Sequence, residues 1–133
     1  MAGTVTLAFT KAPLPSSARK ITLDWLSDAS GDATYTTEKL AGTIVGVAFI
    51  PDGGGTAPTT LYDVTLTDDN GVDILSGQGA NLSATVANRV VPGVPFKDGT
   101  TTSVAPIVLN DTLDLVVANA GNAKGGQVIL YLR

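Results

Sequence analysis

Leu61–Gly77 reads LYDVTLTDDNGVDILSG, and this stretch decides the fold. Tyr62, Val64 and Leu66 alternate with Asp63, Thr65 and Thr67. That period of two sends one set of side chains to a buried face and the other to solvent. Asn70-Gly71 follows, the strongest short hairpin signal because both residues tolerate positive φ. Val72, Ile74 and Leu75 are then expected to begin the return strand.

The same alternation recurs on both sides of this hairpin. Thr4–Thr10 places Val5, Leu7 and Phe9 on one side. Arg19–Ser27 places Ile21, Leu23 and Trp25 on one face, with the only tryptophan of the chain as a core anchor. Leu40–Ile50 is apolar almost throughout, which predicts a strand or strand pair buried on both faces. Its Gly42 and Gly46 point to a bulge or a close backbone approach. Thr112–Ala118 aligns Leu113, Leu115 and Val117, and Gln127–Arg133 reads as a closing strand whose truncation should be poorly tolerated. Between these lie the Pro-rich Lys11–Ala18, the polar Asp28–Glu38, the glycine-rich Pro51–Thr60, an irregular crossover Val90–Ser103 and a turn at Asn119–Gly126. A further short strand is expected at Val104–Leu109, and Asn81 could cap a short helix with Leu82 and Val86 on one face. These elements predict an all-β chain, a single-domain β-sandwich or jelly roll of about eight or nine short antiparallel strands. The domain spans 1–133, with an extended N-terminal strand and arm at 1–18.

Composition narrows the chemistry. The chain of 133 residues has no Cys and no His, so disulfides, thiolate chemistry and the commonest general base and metal ligand are all missing. Aromatics are few, and the core must come from Val, Leu, Ile and Ala, with Thr on the sheet faces. The formal net charge is −4 and unevenly placed: no Lys or Arg falls between Lys39 and Arg89, where Asp52, Asp63, Asp68, Asp69 and Asp73 all lie. Direct nucleic-acid binding requires the reverse, a basic stripe. No apolar run approaches the ~20 residues of a membrane-spanning helix, and the opening residues lack the pattern of a secretory leader.

Motifs that would carry chemistry fail on inspection. Gly53-Gly54-Gly55 lacks the Lys and following helix of a phosphate loop, and Gly77-Gln78-Gly79 has Leu82 where a dinucleotide fingerprint needs glycine. Asp68-Asp69-Asn70-Gly71-Val72-Asp73 lacks the alternating acids and distal Glu of a calcium loop. Asp68, Asp69 and Asp73 would be the acids of a carboxylate hydrolase, but they are also ordinary turn formers. No catalytic residue, cofactor or metal site is expected.

The back half carries a resemblance. Tyr62–Asp68, Asn70–Asp73, Gly77–Asn81, Thr112-Leu113, Asn119–Gly126 and the terminal Val128–Leu132, in that order, resemble small structural proteins of tailed bacteriophages, most closely the capsid decoration or cement type. The resemblance implies a non-enzymatic virion protein at the capsid surface. It would bind the major capsid protein between shell subunits, itself a homo-dimer or homo-trimer, without nucleic acid or membrane contact. A tail or head–tail connector component is the alternative within the virion. A carbohydrate-binding β-sandwich, with Trp25 exposed for stacking, is the alternative outside it. The expected interface comprises the edge residues Val5, Leu7 and Phe9, the arm residues Pro13, Leu14 and Pro15, and Phe96 in the crossover.

Overall fold

Among the residues that the computed structural model describes (3–11, 18–95 and 102–133), eleven strands and one short 3-10 turn at Gly54–Thr56 are present. The strands are β1 (Thr4–Lys11), β2 (Arg19–Leu26), β3 (Ala33–Thr36), β4 (Leu40–Pro51), β5 (Asp63–Thr67), β6 (Asn88–Val90), β7 (Gly93–Pro95), β8 (Thr102–Val104), β9 (Ile107–Asp111), β10 (Asp114–Ala118) and β11 (Gly125–Leu132). The large sheet runs β1-β2-β11-β4-β6, with β9 also pairing β4. The small sheet runs β3-β10-β5, and β7 with β8 forms a separate ribbon. The strand pairings are antiparallel.

The two sheets bury one continuous apolar cluster between them, so the architecture is an all-β sandwich. Ile21, Leu23 and Trp25 of β2 stand opposite Leu130, Val128 and Gly126 of β11, and Val47 and Phe49 of β4 extend the same layer. The small sheet answers with Val64, Leu66, Leu115 and Val117, each 2% exposed or less. Trp25 meets Tyr62 with ring centroids 5.7 Å apart at a 45° tilt. Burial pushes the Tyr62 phenol up to about 12.

The long strand β4 is where the large sheet bends. Tyr131 pairs with Gly46 but Leu132 pairs with Ile44, leaving Val45 as an inserted residue. One extra residue reverses the pleat. Before it the even positions Leu40 and Ile44 point to the core; after it the odd positions Val47 and Phe49 do. The bulge is the feature that Gly42 and Gly46 signalled. β9 pairs Leu40–Ile44 and β6 pairs Val47–Phe49, so the two lie end to end along one side of β4.

Four expectations need correction. The return limb of the central hairpin is not a strand: beyond the Thr67–Asp73 bridge and the Ile74 N–H bond to Leu66 O, the chain enters successive turns. The tip itself is a type I turn closed by glycine. Gly71 N–H donates to Asp68 O, Asp68 Oδ1 accepts from Asn70 and Val72 N–H, and only Gly71 of the Asn-Gly pair has positive φ, +81°. The Asp68 side chain satisfies the amides that a two-residue turn would have paired, and selects the longer loop. Second, no helix forms at Asn81. Its φ is +56°, Leu82 exchanges backbone bonds with Leu61 and Tyr62, and Ser83 Oγ accepts from Thr85 and Val86 N–H in a local turn. Third, the polar loop Asp28–Glu38 contains β3, whose ATYT is too short for alternation to stand out. Fourth, the short strands β6, β7 and β8 replace part of the irregular crossover, raising the count above eight or nine.

Candidate interaction surface

β1 hydrogen-bonds only to β2, from Thr4↔Leu26 through Lys11↔Arg19, and its outer side pairs with no strand among the described residues. An edge of eight residues presents a row of alternating N–H and C=O groups that can template a strand from another chain. Proline, bulge and inward charge, the devices that blunt such edges, are absent from TVTLAFTK up to its last residue.

The expected interface residues divide in the structure. Val5, Leu7 and Phe9 do share one face of β1, opposite Trp25, Leu23 and Ile21. Val5 and Leu7 are half-buried against the core, so they offer a partner their backbone rather than their side chains. Phe9 is 57% exposed. Pro13, Leu14, Pro15 and Phe96 lie outside the described residues. A second open edge was not anticipated: β9 pairs only β4 among the described residues, and its Val108 is 81% exposed. Its signal in the sequence was the alternation of Ile107 and Leu109 with Val108, an apolar residue at an outward position.

The acidic middle of the chain is a set of backbone anchors. Asp73 Oδ1 accepts from Leu66 and Leu75 N–H and its Oδ2 from Gly77 N–H. Asp63 accepts from Asn81 N–H at 2.8 Å and from the Asn119 amide at 2.7 Å. Asp28 Oδ1 accepts from Ser30 and Asp32 N–H, and the Asp32 amide chiefly holds its carboxyl below the usual carboxylate range. The Thr112 hydroxyl, then a hydrogen bond with Asp111, does the same for Asp69, while desolvation and that same Asp69 carboxylate push Asp111 up. Among the described residues, no group of three or more acids could hold a metal ion. Asp68 and Asp73 hold turns by accepting several backbone amides each, and Asp69 accepts from the Thr112 hydroxyl.

Trp25 is 2% exposed and offers no face to a sugar ring. An open trough of about 500 Å³ lies along the outside of β3 and β10, lined by Thr34, Thr36, Asp114 and Val116. Its one carboxylate, Asp114, is engaged by the Thr36 hydroxyl at 2.6 Å. Among the described residues, no helix is long and apolar enough to cross a membrane.

No family model matches this chain, and neither a curated protein nor a solved structure is significantly similar to it.

Proposed function

We propose that this chain is a non-enzymatic virion structural protein that decorates or cements a bacteriophage capsid. The observation that carries the reading is the unblunted outer edge of β1, which pairs with no strand among the described residues, with Phe9 exposed on it. Strand addition at such an edge supplies directional backbone hydrogen bonds, and an exposed aromatic beside it supplies apolar area. Binding between major capsid protein subunits through this edge would stabilise the shell without any chemical step. The use of the acidic side chains as turn anchors supports the non-enzymatic reading, and the resemblance of the back half to phage decoration proteins supports the partner.

The test is quantitative mass spectrometry of gradient-purified particles, combined with a blocked edge. A copy number comparable to the major shell protein is expected. Thr6→Lys with Ala8→Glu, both on the exposed side of β1, should sharply lower particle occupancy while leaving the melting temperature of the free protein nearly unchanged. A few copies per particle would transfer the protein to the tail or connector. Absence from particles would overturn the reading.

A further inference from the structure

The chain has only eight basic residues, and all three of its arginines, Arg19, Arg89 and Arg133, line one pocket of about 290 Å³. The pocket forms where β2, β11 and the bulge of β4 come together, and Val45, Gly46 and Tyr131 contribute to its wall. Lys20 stands opposite Tyr131 across β2 and β11.

Local structure places the guanidinium groups of Arg89 and Arg19 and the backbone of Arg133. Arg89 sits on the face of the Tyr131 ring, with Cζ 4.1 Å from the centroid, a cation–π contact that occupies the flat side and leaves the N–H edge available. Arg19 Nη2 donates to Ala41 O, and its position requires glycine at 42: any side chain there would collide with it. Gly42 has φ +139°, a conformation that L side chains rarely adopt. Arg133 is fixed by backbone bonds in both directions with Thr43, at 2.8 and 2.9 Å. Gly46, paired with Tyr131, puts no side chain against the Arg89 stem; a Cβ there would lie 3.7 Å from Arg89 Cδ.

Among the described residues, no Asp or Glu side chain lines the pocket. Three like-charged side chains gathered in a pocket that no acidic side chain lines repel one another, and a bound anion would offset that repulsion through charge-assisted hydrogen bonds. In a chain with net charge −4, this concentration also runs against the overall composition.

We infer that the Arg19–Arg89–Arg133 pocket is an oxyanion-binding site. Its ligand is a carboxylate or phosphate group, held by guanidinium N–H donors, with the Tyr131 ring and Val45 receiving an apolar stem. The inference is independent of the role of the β1 edge. The shared chemistry has two sources, a free phosphate or an acidic side chain of a partner, and the probes separate them.

The experiment is a titration of the ¹⁵N-labelled protein followed by NMR, with sodium chloride at matched ionic strength as the control. One arm uses inorganic phosphate and the other N-acetyl-glutamate amide. Saturable shifts confined to the amides of Thr43, Val45, Gly46 and Tyr131 are expected in at least one arm, and the tighter arm identifies the source. Arg89→Leu combined with Arg133→Leu should weaken binding by about tenfold or more, as loss of charge-assisted pairs does. Arg89→Lys, which keeps the charge but not the fork, should weaken it by a smaller factor. The folding of each variant is read from its unchanged distant amides. Should Arg89→Leu with Arg133→Leu fail to fold, Arg133→Leu alone must still weaken binding. Shifts in both arms no larger than those with chloride, or equal binding by the folded variants, would overturn the inference.

Discussion

Thr37 and Leu113, one residue beyond the Thr36–Asp114 end of the β3–β10 ladder, are joined by two opposed hydrogen bonds: Thr37 N–H donates to Leu113 O at 2.9 Å, and Leu113 N–H donates to the Thr37 hydroxyl at 2.9 Å. The side chain stands in for a backbone acceptor where the ladder ends, and both residues are buried. Thr37→Val keeps the shape and strands the Leu113 N–H. A loss of about 1–3 kcal/mol in urea unfolding is expected. Thr37→Ser should recover most of it.

Gly126 faces Trp25 across β11 and β2, and a Cβ there would lie 2.9 Å from the indole Cζ2 and 2.8 Å from Ile50 O. Neither neighbour is a flexible chain end. Gly126→Ala should destabilise by about 1–3 kcal/mol, the range for overpacking a core. It should also shift Trp25 fluorescence to the red. An unchanged spectrum with unchanged stability would contradict the packing described.

Asp73 organises the collapsed limb of the hairpin through three backbone N–H groups, those of Leu66, Leu75 and Gly77. Asp73→Ala is expected to cost about 2 kcal/mol, with loss of amide hydrogen-exchange protection centred on residues 74–80. Preserved protection there would show that the apolar residues Ile74 and Leu75 hold the limb alone.

The Asp69–Asp111 pair gives a pH signature. Asp69 is held below the usual range, so its contribution is present above its unfolded pKa and is lost as pH falls through the folded value. Asp111 is pushed up, so its contribution is present below its unfolded pKa and is lost as pH rises through the folded value. Asp111→Asn removes the second effect and the repulsion from Asp69 and Asp68. It should raise the thermal midpoint at pH 7, and the gain should vanish near pH 3. Equal gains at both pH values would show that charge is not the cause.

Tyr62 sets the alkaline limit. With its phenol pushed from an ordinary 10.0 to about 12, the stability it brings is complete below the lower value and is lost as pH rises through the upper one. In a spectrophotometric titration, one tyrosine should ionise together with unfolding. Tyr62→Phe should flatten that limb of the stability profile.

How far the sequence reveals the molecule depends on the range of the forces involved. Alternation in β1, β2, β5, β10 and β11 is local and strong, and those strands and their buried faces follow from it directly. The return limb of the hairpin misled because Val72, Ile74 and Leu75 are apolar at positions a strand would use. What turns them away from the ladder is the Asp73 carboxylate, whose amide partners cannot be read from spacing. β3 was hidden because its identity as a strand comes from β10, some eighty residues later, rather than from its own four residues. The edge at Val5, Leu7 and Phe9 was legible as a strand, whereas its position at the margin of the sheet is set by pairing with β2 alone. The arginine pocket was invisible: positions 19, 89 and 133 are scattered, and only the register of β2, β11 and β4 brings them together.

The placement of β11 between β2 and β4 has a consequence for how the protein is made. The strand that fills the middle of the large sheet is made after both of its neighbours, and until it arrives β2 and β4 each hold an inner edge with no partner. Such non-local pairing is slow and exposes sticky intermediates. The nascent chain therefore carries its greatest aggregation risk just before synthesis reaches Gly125, and closure of the sheet is expected to be the late, cooperative step of folding.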